Sequence, residues 1–244
     1  VRSDSIDYQA MEFKEKEQSA LHSFSYGITS DPLIQFTCII AALIHDLDHP
    51  GVPNSQLVHE QVRLARTYKN KSVAEQNSLD LSWDLLMDDR YKDFRACIYT
   101  NDDELRRFRQ LLVNAVMATD IMDKELGGLR KARWAKAFSS RQSSTDLQQL
   151  AESSSILSTF KGGHYAQDVN RMATIVIEHL IQASDVAHTM QHWHIFTKWN
   201  EKLFDEMYQA YLAGRSPEDP STNWYKGEIG FFDFYIIPLA KKLK

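Results

Sequence analysis

The chain has 244 residues, of which 43% are hydrophobic and 25% are charged, values that are ordinary for a globular protein. This length fits one large domain or two small ones. A formal net charge of −5 and the lack of a basic stripe argue against nucleic acid as a partner. No apolar run approaches the roughly 18 residues of a membrane helix. Cys38 and Cys97 have no paired spacing, so we expect a reducing compartment and no disulfide framework.

Helical periodicity dominates the sequence and no alternating strand pattern appears, so we predict an all-α fold. The predicted helices cover residues 33–45, 54–65, 73–87, 101–116, 166–187, 190–213 and 231–243. The first is apolar almost all round, which predicts burial. Asn54 is the predicted N-cap of the second helix, and Pro238 is expected to bend the last one. The serine-rich stretch 139–163 predicts a mobile loop around a short helix at 146–151.

The most informative stretch, Leu43–Gly51, reads LIHDLDHPG and follows the apolar helix. His45 and His49 are four positions apart, so on a helix they share one face, and Pro50-Gly51 would end that helix at the cluster. Imidazole with carboxylate suits zinc, whereas carboxylate with water suits magnesium or manganese. A surface His-Asp pair is the alternative, but beside apolar residues it would bury charge at several kcal/mol per ion. We therefore predict a metal site.

Four further blocks follow this cluster in order along the chain. They are SVAE with Glu75, ATD with Thr119 and Asp120, ASD with Asp185, and GFFDF with Phe231, which leads on to Pro238-Leu239. Together with HDLDHPGVPN they resemble the catalytic domain of class I cyclic nucleotide phosphodiesterases, from about residue 31 to residue 244. The resemblance implies a compact all-helical fold. It also implies metal-dependent hydrolysis of the 3′ phosphoester of cyclic GMP or cyclic AMP to a 5′-monophosphate, in signalling.

The resemblance also implies the roles of individual residues around two metals, a zinc and a magnesium or manganese. The zinc ligands would be His45, Asp46 and Asp185, and Asp46 would also reach the second metal, whose remaining ligands would be mostly waters. His49 would bond to water or to the substrate phosphate. Glu75 and Asp120 would orient waters and imidazoles. Thr119 would border the water shell of the second metal.

A base pocket is implied by the same resemblance, formed by Trp199, Leu203, Met207, Glu228 and Phe231. Phe231 would stack on the purine, opposite Leu203. Ordinary packing in a helical core remains open for each apolar member. Glu228 stands where the family has a glutamine, and since a carboxylate only accepts, it would pair with the N1–H and N2–H₂ donors of guanine. That favours cyclic GMP, unless Glu228 is protonated or turned away and selectivity is weak.

The chain departs from the family upstream of the cluster. The family carries an HNxxHxxDV-like motif there, which supplies the general acid and a further zinc histidine. In this chain His22 is the one histidine among residues 1–32, and we interpret it as structural. Because losing a general acid costs about 10²–10⁴-fold in rate, we expect this chain to be nearly inactive alone. We interpret residues 1–30 as the remnant helix or linker of a longer domain. His188 and Gln76-Asn77-Ser78 also differ from the family pattern.

Two other functions remain open from the sequence. One is an inactive module that binds cyclic nucleotides or regulates, and the other is a different HD-type nucleotide phosphohydrolase, against which the Gly230-Phe231 block argues. We expect a small-molecule cyclic nucleotide as partner and an intracellular location. Any membrane anchoring would come through further parts of a parent chain, and oligomeric state is left open.

Overall fold

The computed structural model describes the backbone of residues 2–138 and 162–243, and the side chains of residues 13–138 and 169–243. All regular structure within these residues is helical, with no β-strand, which confirms the all-α prediction. The α-helices are α1 Arg2–Phe24, α2 Pro32–Ile44, α3 Asn54–Glu60, α4 Val62–Thr67, α5 Val73–Met87, α6 Lys92–Ile98, α7 Asp102–Met117, α8 Lys124–Phe138, α9 Gly162–Asp185, α10 Trp193–Leu212, α11 Trp224–Phe231 and α12 Ile237–Leu243.

Helix ends follow local chemistry, and two predictions about them were wrong. The helix predicted at 54–65 is broken at Gln61 into α3 and α4, and its N-cap is Pro53 rather than Asn54, whose side chain is used elsewhere. The last helix is disturbed before Pro238, because proline cannot donate to the carbonyl one turn earlier and crowds it. The chain there forms a π-helical segment, Phe232–Ile236, that leads into α12.

The main core lies where α2, α7 and α9 pack together. Its fully buried centre includes Ala41 of α2, Phe108 and Leu112 of α7, and Ile177 of α9. The prediction that α2 is buried all round was wrong. Only the face that meets α7 and α9 is buried, and Leu43 on the other side of α2 is 77% exposed.

A smaller apolar cluster joins α3, α4 and α5 and positions the turn that follows His49. Arg215, just beyond α10, ties that turn down. Its guanidinium donates to both carboxylate oxygens of Glu60 at 2.9 and 2.7 Å and to the carbonyl of Pro50 at 3.1 Å. Gly51 has φ +70°, and a Cβ there would lie 3.0 Å from Oε1 of Glu206 on α10. The turn therefore rests directly on α10.

Three further predictions concern the serine-rich loop, the two cysteines and membrane-spanning helices. Residues 139–161 of the predicted mobile loop, with its short helix at 146–151, lie outside the described residues. Cys38 and Cys97 are both free thiols. Across residues 2–138 and 162–243, no helix has the length and apolar character needed to cross a membrane.

Candidate metal centre

His45, Asp46 and Asp185 meet where α2 and α9 end side by side. His45 caps the C-terminus of α2, and its backbone N–H donates to the carbonyl of Ala41. Asp185 is the last residue of α9. The Nε2 atom of His45 lies 3.2 Å from Oδ1 of Asp185 and 3.3 Å from Oδ2 of Asp46. One ligand atom from each of the three residues lies within 4.8 Å of the other two.

The chemistry of this group fits a divalent cation. The carboxylates of Asp185 and Asp46 raise the pKa of His45 to about 10, because they stabilise its imidazolium form. A metal ion at the same place would be stabilised by the same two charges and would displace the proton. The Nδ1 atom of His45 is 3.0 Å from the carbonyl of Ala42. A proton on Nδ1 satisfies that carbonyl and leaves Nε2 as the metal-binding atom, the usual arrangement for a ligating histidine.

The backbone after His45 is a series of tight turns, and not the helix that we predicted through His49. The amide of Leu47 donates to the carbonyl of Ile44, and the amide of His49 donates to that of Asp46, both over three residues. Asp48 has φ +62°, a left-handed conformation that ends the helix before Pro50 is reached. His45 and His49 therefore do not share a helical face, and the Nδ1 atom of His49 instead accepts the N–H of Gly51 at 3.2 Å.

Asn54 links the two carboxylates that lie beyond the cluster. Its Nδ2 donates to Oε2 of Glu75 at 2.9 Å and makes a longer contact of 3.5 Å with Oδ2 of Asp120. Its Oδ1 accepts the backbone N–H of Ala74 at 2.9 Å, in the first turn of α5. The hydroxyl of Ser72 donates to Asp120 at 2.6 Å. Burial raises the pKa of Glu75, and the nearby charge of Asp120 adds to that effect.

The loop that carries Thr119 and Asp120 is held from behind. The Nε2 of Gln182 donates to the carbonyl just before Thr119 at 2.8 Å, and an Nη of Arg130 donates to the carbonyl of Asp120 at 2.7 Å. The Thr119 hydroxyl donates to the last turn of α7. Helices α8 and α9 therefore fix this loop beside Asn54 and Ser72.

A cavity of about 610 Å³ lies between α10 and α11, and Glu228 lines it. The Oε2 atom of Glu228 accepts from Nδ2 of Asn200 at 2.6 Å, and Oδ1 of Asn200 accepts from Nε1 of Trp224 at 3.0 Å. Because the indole can only donate, it fixes which end of the Asn200 amide faces the carboxylate. Burial raises the pKa of Glu228, while the hydrogen bond from Asn200 and the nearby His188 act in the opposite direction.

The other four residues of the predicted base pocket lie outside the lining of this cavity. Trp199, Leu203 and Met207 follow one another along an exposed face of α10. Phe231 packs against the apolar cluster at the start of α12 and stacks on Tyr235, with ring centroids 5.3 Å apart. The structure therefore brings Glu228 to the cavity and leaves the four apolar residues of the predicted pocket outside its lining.

Comparison with known proteins decides the family. The family model described as 3′5′-cyclic nucleotide phosphodiesterase matches residues 18–244. This chain belongs to that family. The match includes the His45 cluster, Glu75, the Thr119-Asp120 loop, Asp185 and the Gly230-Phe231 block. His22 also lies within it, at the end of α1, where its ring pairs with the hydroxyl of Ser30.

Relatives of this phosphodiesterase-family chain are distant in sequence. A probable 3′,5′-cyclic-AMP phosphodiesterase, pde-4 of Caenorhabditis elegans, is 24% identical, and the 3′,5′-cyclic-AMP phosphodiesterase 4C of Mus musculus is 26% identical. Each alignment covers 82% of this chain but only 28% and 27% of those proteins, so the chain spans about a quarter of their length. The phosphodiesterase domain of Salpingoeca rosetta rhodopsin phosphodiesterase is 22% identical with a TM-score of 0.62, over 86% of this chain and 59% of that one. This similarity shows the shared fold.

Sequence reasoning missed three polar residues that contact the candidate site residues. Asn54 was interpreted only as a helix cap, whereas its position in the conspicuous block HPGVPN was the available signal. Ser72 directly precedes the block with Glu75, and nothing in its sequence neighbourhood indicates the bond to Asp120. Asn200 lies beside Trp199 on α10, one position round the helix, and only the fold shows that it meets Glu228.

Proposed function

We propose that this chain is the catalytic domain of a protein that hydrolyses the 3′ phosphoester of a cyclic nucleotide to a 5′-monophosphate. The observation that carries the proposal is the approach of His45, Asp46 and Asp185 to within 4.8 Å, in a chain that matches the family model over residues 18–244. The names of the relatives from Caenorhabditis elegans and Mus musculus, both cyclic-AMP phosphodiesterases, support the substrate class.

His45, Asp46 and Asp185 would hold a zinc ion, and Asp46 would share a second ion, magnesium or manganese. Such a metal pair supplies a coordinated water whose pKa is lowered toward about 7, and positive charge that stabilises the phosphate. Without metals, the cluster contains two carboxylates and only one imidazole, so its negative groups outnumber its basic group. A divalent ion is therefore the expected counter-charge.

The remaining residues would orient the reactants. Since Nδ1 of His49 accepts the amide of Gly51, the proton of the neutral ring lies on Nε2, which would donate to a phosphate oxygen. Asn54 occupies Oε2 of Glu75 and leaves Oε1 as an acceptor for water. Asp120 accepts the amides of Met122 and Asp123 at Oδ1 and the hydroxyl of Ser72 at Oδ2, so it would act by orienting Asn54 rather than by holding a water. No residue of 1–32 offers the upstream motif, so the general acid would have to come from elsewhere in the protein.

We further propose that Glu228 favours guanine over adenine. Asn200 donates to one oxygen of the Glu228 carboxylate. The other oxygen remains available to the base, and in a carboxylate it can only accept a hydrogen bond. The guanine edge presents N–H donors at N1 and N2, whereas adenine presents an acceptor at N1 that would face the carboxylate. Glu228→Gln restores a donor and should move the ratio of kcat/KM values toward cyclic AMP. Equal turnover of both nucleotides before and after the substitution would refute this preference.

A metal titration tests the centre itself. We expect the purified chain, stripped with a chelator, to bind one zinc ion by calorimetry. Asp185→Asn should weaken that binding at least about tenfold, since it removes a charged ligand. Asp205→Asn, which removes an exposed carboxylate from α10, is the matched control and should leave the affinity unchanged. Equal affinities for both variants would rule out this centre.

Hydrolysis is tested with the full-length gene product, using cyclic AMP and cyclic GMP with and without chelator. We expect turnover that the chelator abolishes and that Asp185→Asn reduces by at least about 10²-fold. Binding of cyclic nucleotide without any turnover by the full-length product would instead favour a regulatory binding module. The separated chain should turn over little, because it lacks the upstream general acid.

A further inference from the structure

A second cavity, of about 420 Å³, lies between α8, α9 and the C-terminal part of the chain. It shares no lining residue with the His45 cluster. Four cationic side chains line it, Lys124, Arg130, Lys131 and Lys242, and Asp123 is the one carboxylate in its wall among the described residues. This concentration of positive charge is notable in a chain whose net charge is −5.

None of the four cations forms an ion pair with a carboxylate of the described residues; Glu178, on which the charge of Arg130 acts, is paired with Arg133. Arg130 donates to the backbone carbonyls of Met117 and Asp120. Lys242 lies 5.1 Å from the ring centroid of Trp134. Lys124 and Lys131 form no ion pair with any residue that the structure describes, and Oδ1 of Asp123 is already used by the first amides of α8. The cavity therefore keeps a net positive charge.

Two further groups in the wall point to an anionic ligand. Nδ1 of the buried His179 lies 2.7 Å from the carbonyl of Ile175, to which it donates, so Nε2 is free to accept from Lys242 at 3.3 Å. This arrangement needs a neutral ring and leaves the ammonium of Lys242 as the charge. The hydroxyl of Tyr235 is buried and has no hydrogen-bond partner among the described residues, and the charges that act on it are those of Asp185 and of Arg130 in the cavity wall.

We propose that this cavity binds a small, soluble, phosphate-bearing anion. Phosphate oxygens accept several charge-assisted hydrogen bonds at once, which suits a wall of arginine and lysine side chains. The volume lies in the range of ordinary small-molecule sites. Phe234 and Pro238 add apolar surface for the carbon part of such a ligand. The proposal goes beyond the proposed hydrolysis and does not depend on it.

Calorimetric titration of the purified protein with inorganic pyrophosphate tests this site. Chelator is present throughout, so that phosphate cannot bind through metals at His45, and pyrophosphate has no base to occupy the cavity at Glu228. We expect saturable binding of one pyrophosphate. Lys131→Gln should raise Kd about tenfold, equivalent to about 1.4 kcal/mol. Lys136→Gln removes an exposed lysine from the same helix but outside the cavity, and should change Kd by less than about twofold.

Tyr235→Phe separates a ligand site from a structural role. The substitution removes only the unpartnered hydroxyl, so we expect Kd to rise about threefold or more while the thermal unfolding temperature stays the same or increases. Wild-type affinity in this variant would overturn the role of the hydroxyl. No saturation by about 10 mM, or equal losses from Lys131→Gln and Lys136→Gln, would overturn the site. Binding only to vesicles that contain phosphatidic acid, with none to soluble pyrophosphate, would overturn the soluble ligand.

Discussion

Asn54→Ala is expected to be among the most damaging single changes near the candidate metal centre. Loss of Oδ1 leaves the N–H of Ala74 unpaired at a residue that is 6% exposed, which costs about 1–3 kcal/mol. Loss of Nδ2 removes a hydrogen bond to the ionised Glu75, worth about 1.5–3 kcal/mol. Because both bonds belong to one side chain, we expect a combined loss of about 3 kcal/mol at pH 7 rather than the sum. In a chain of this length, that lowers Tm by about 6–12 °C.

The assay is chemical unfolding of metal-free protein at two pH values. Burial raises the pKa of Glu75 above its ordinary value of 4.5, so at about pH 4 the carboxyl is neutral and Asn54→Ala should cost roughly half as much. Asn54→Asp keeps an acceptor for Ala74 but adds a third charge beside Glu75 and Asp120. It should therefore be destabilising at pH 7 and recover at pH 4.

Gln56→Ala is the matched control, because Gln56 lies on the same helix and makes only a surface hydrogen bond to Glu60. We expect it to cost less than about 0.5 kcal/mol. If Asn54→Ala costs no more than this control, or if its cost does not depend on pH, then Asn54 does not join the two carboxylates and the reasoning above is refuted.

Four other substitutions test the turns near the site, their anchor and the buried His179. Gly51→Ala and Gly214→Ala should each cost about 1–2 kcal/mol from their positive φ, with Gly51 the costlier because Glu206 must move, as paired urea titrations would detect. Arg215→Ala should speed amide hydrogen exchange at Gly51 by releasing the turn, and unchanged exchange would contradict that anchor. Burial lowers the pKa of His179 below 6.5, so its stabilisation is present above pH 6.5 and lost as pH falls through the lowered value. His179→Gln should reduce the decrease in the free energy of unfolding as pH falls, by at most about 1.4 kcal/mol per pH unit.

The sequence predicted those helices whose apolar residues recur regularly and whose ends carry strong local signals. α7 begins where Asn101 and three acidic residues predicted, and the side chain of Asn101 does accept the amide of Glu104. α8 was missed, because it buries no side chain fully and shows no apolar stripe. It is held instead by the pairing of Arg133 with Glu178 of α9 and by capping through Asp123. Such long-range ion pairs leave no periodic trace in a sequence.

The candidate site also has a part that the sequence predicted and a part that it did not. His45 and Asp46 are neighbours, so their chemistry is visible in one short string. Asp185 lies 140 residues from His45 along the chain. In the sequence only the family resemblance connects the two residues, whereas in the structure the packing of α2 on α9 brings them together. Sequence spacing also predicted a helix through His49, whereas the left-handed Asp48 replaces it with turns. A pattern of four-residue spacing is therefore weak evidence for a shared face when the residues between are Asp and Leu at a helix end.

The turn from His45 to Gly51 has no regular structure of its own, so its geometry must come from its neighbours. From one side, the hydroxyl of Ser78 on α5 donates to the carbonyl of Leu47 at 2.7 Å. From the other, Arg215 and Glu206 hold the end of the turn against α10. The same helix carries Asn200, which orients Glu228 in the cavity 28 residues further along the chain. Helix α10 therefore contacts both the turn that carries the candidate metal ligands and the proposed base-reading carboxylate. Arg215→Ala releases the end of this turn and should weaken zinc binding to the chelator-stripped protein, measured by calorimetry, and an unchanged affinity would contradict this support.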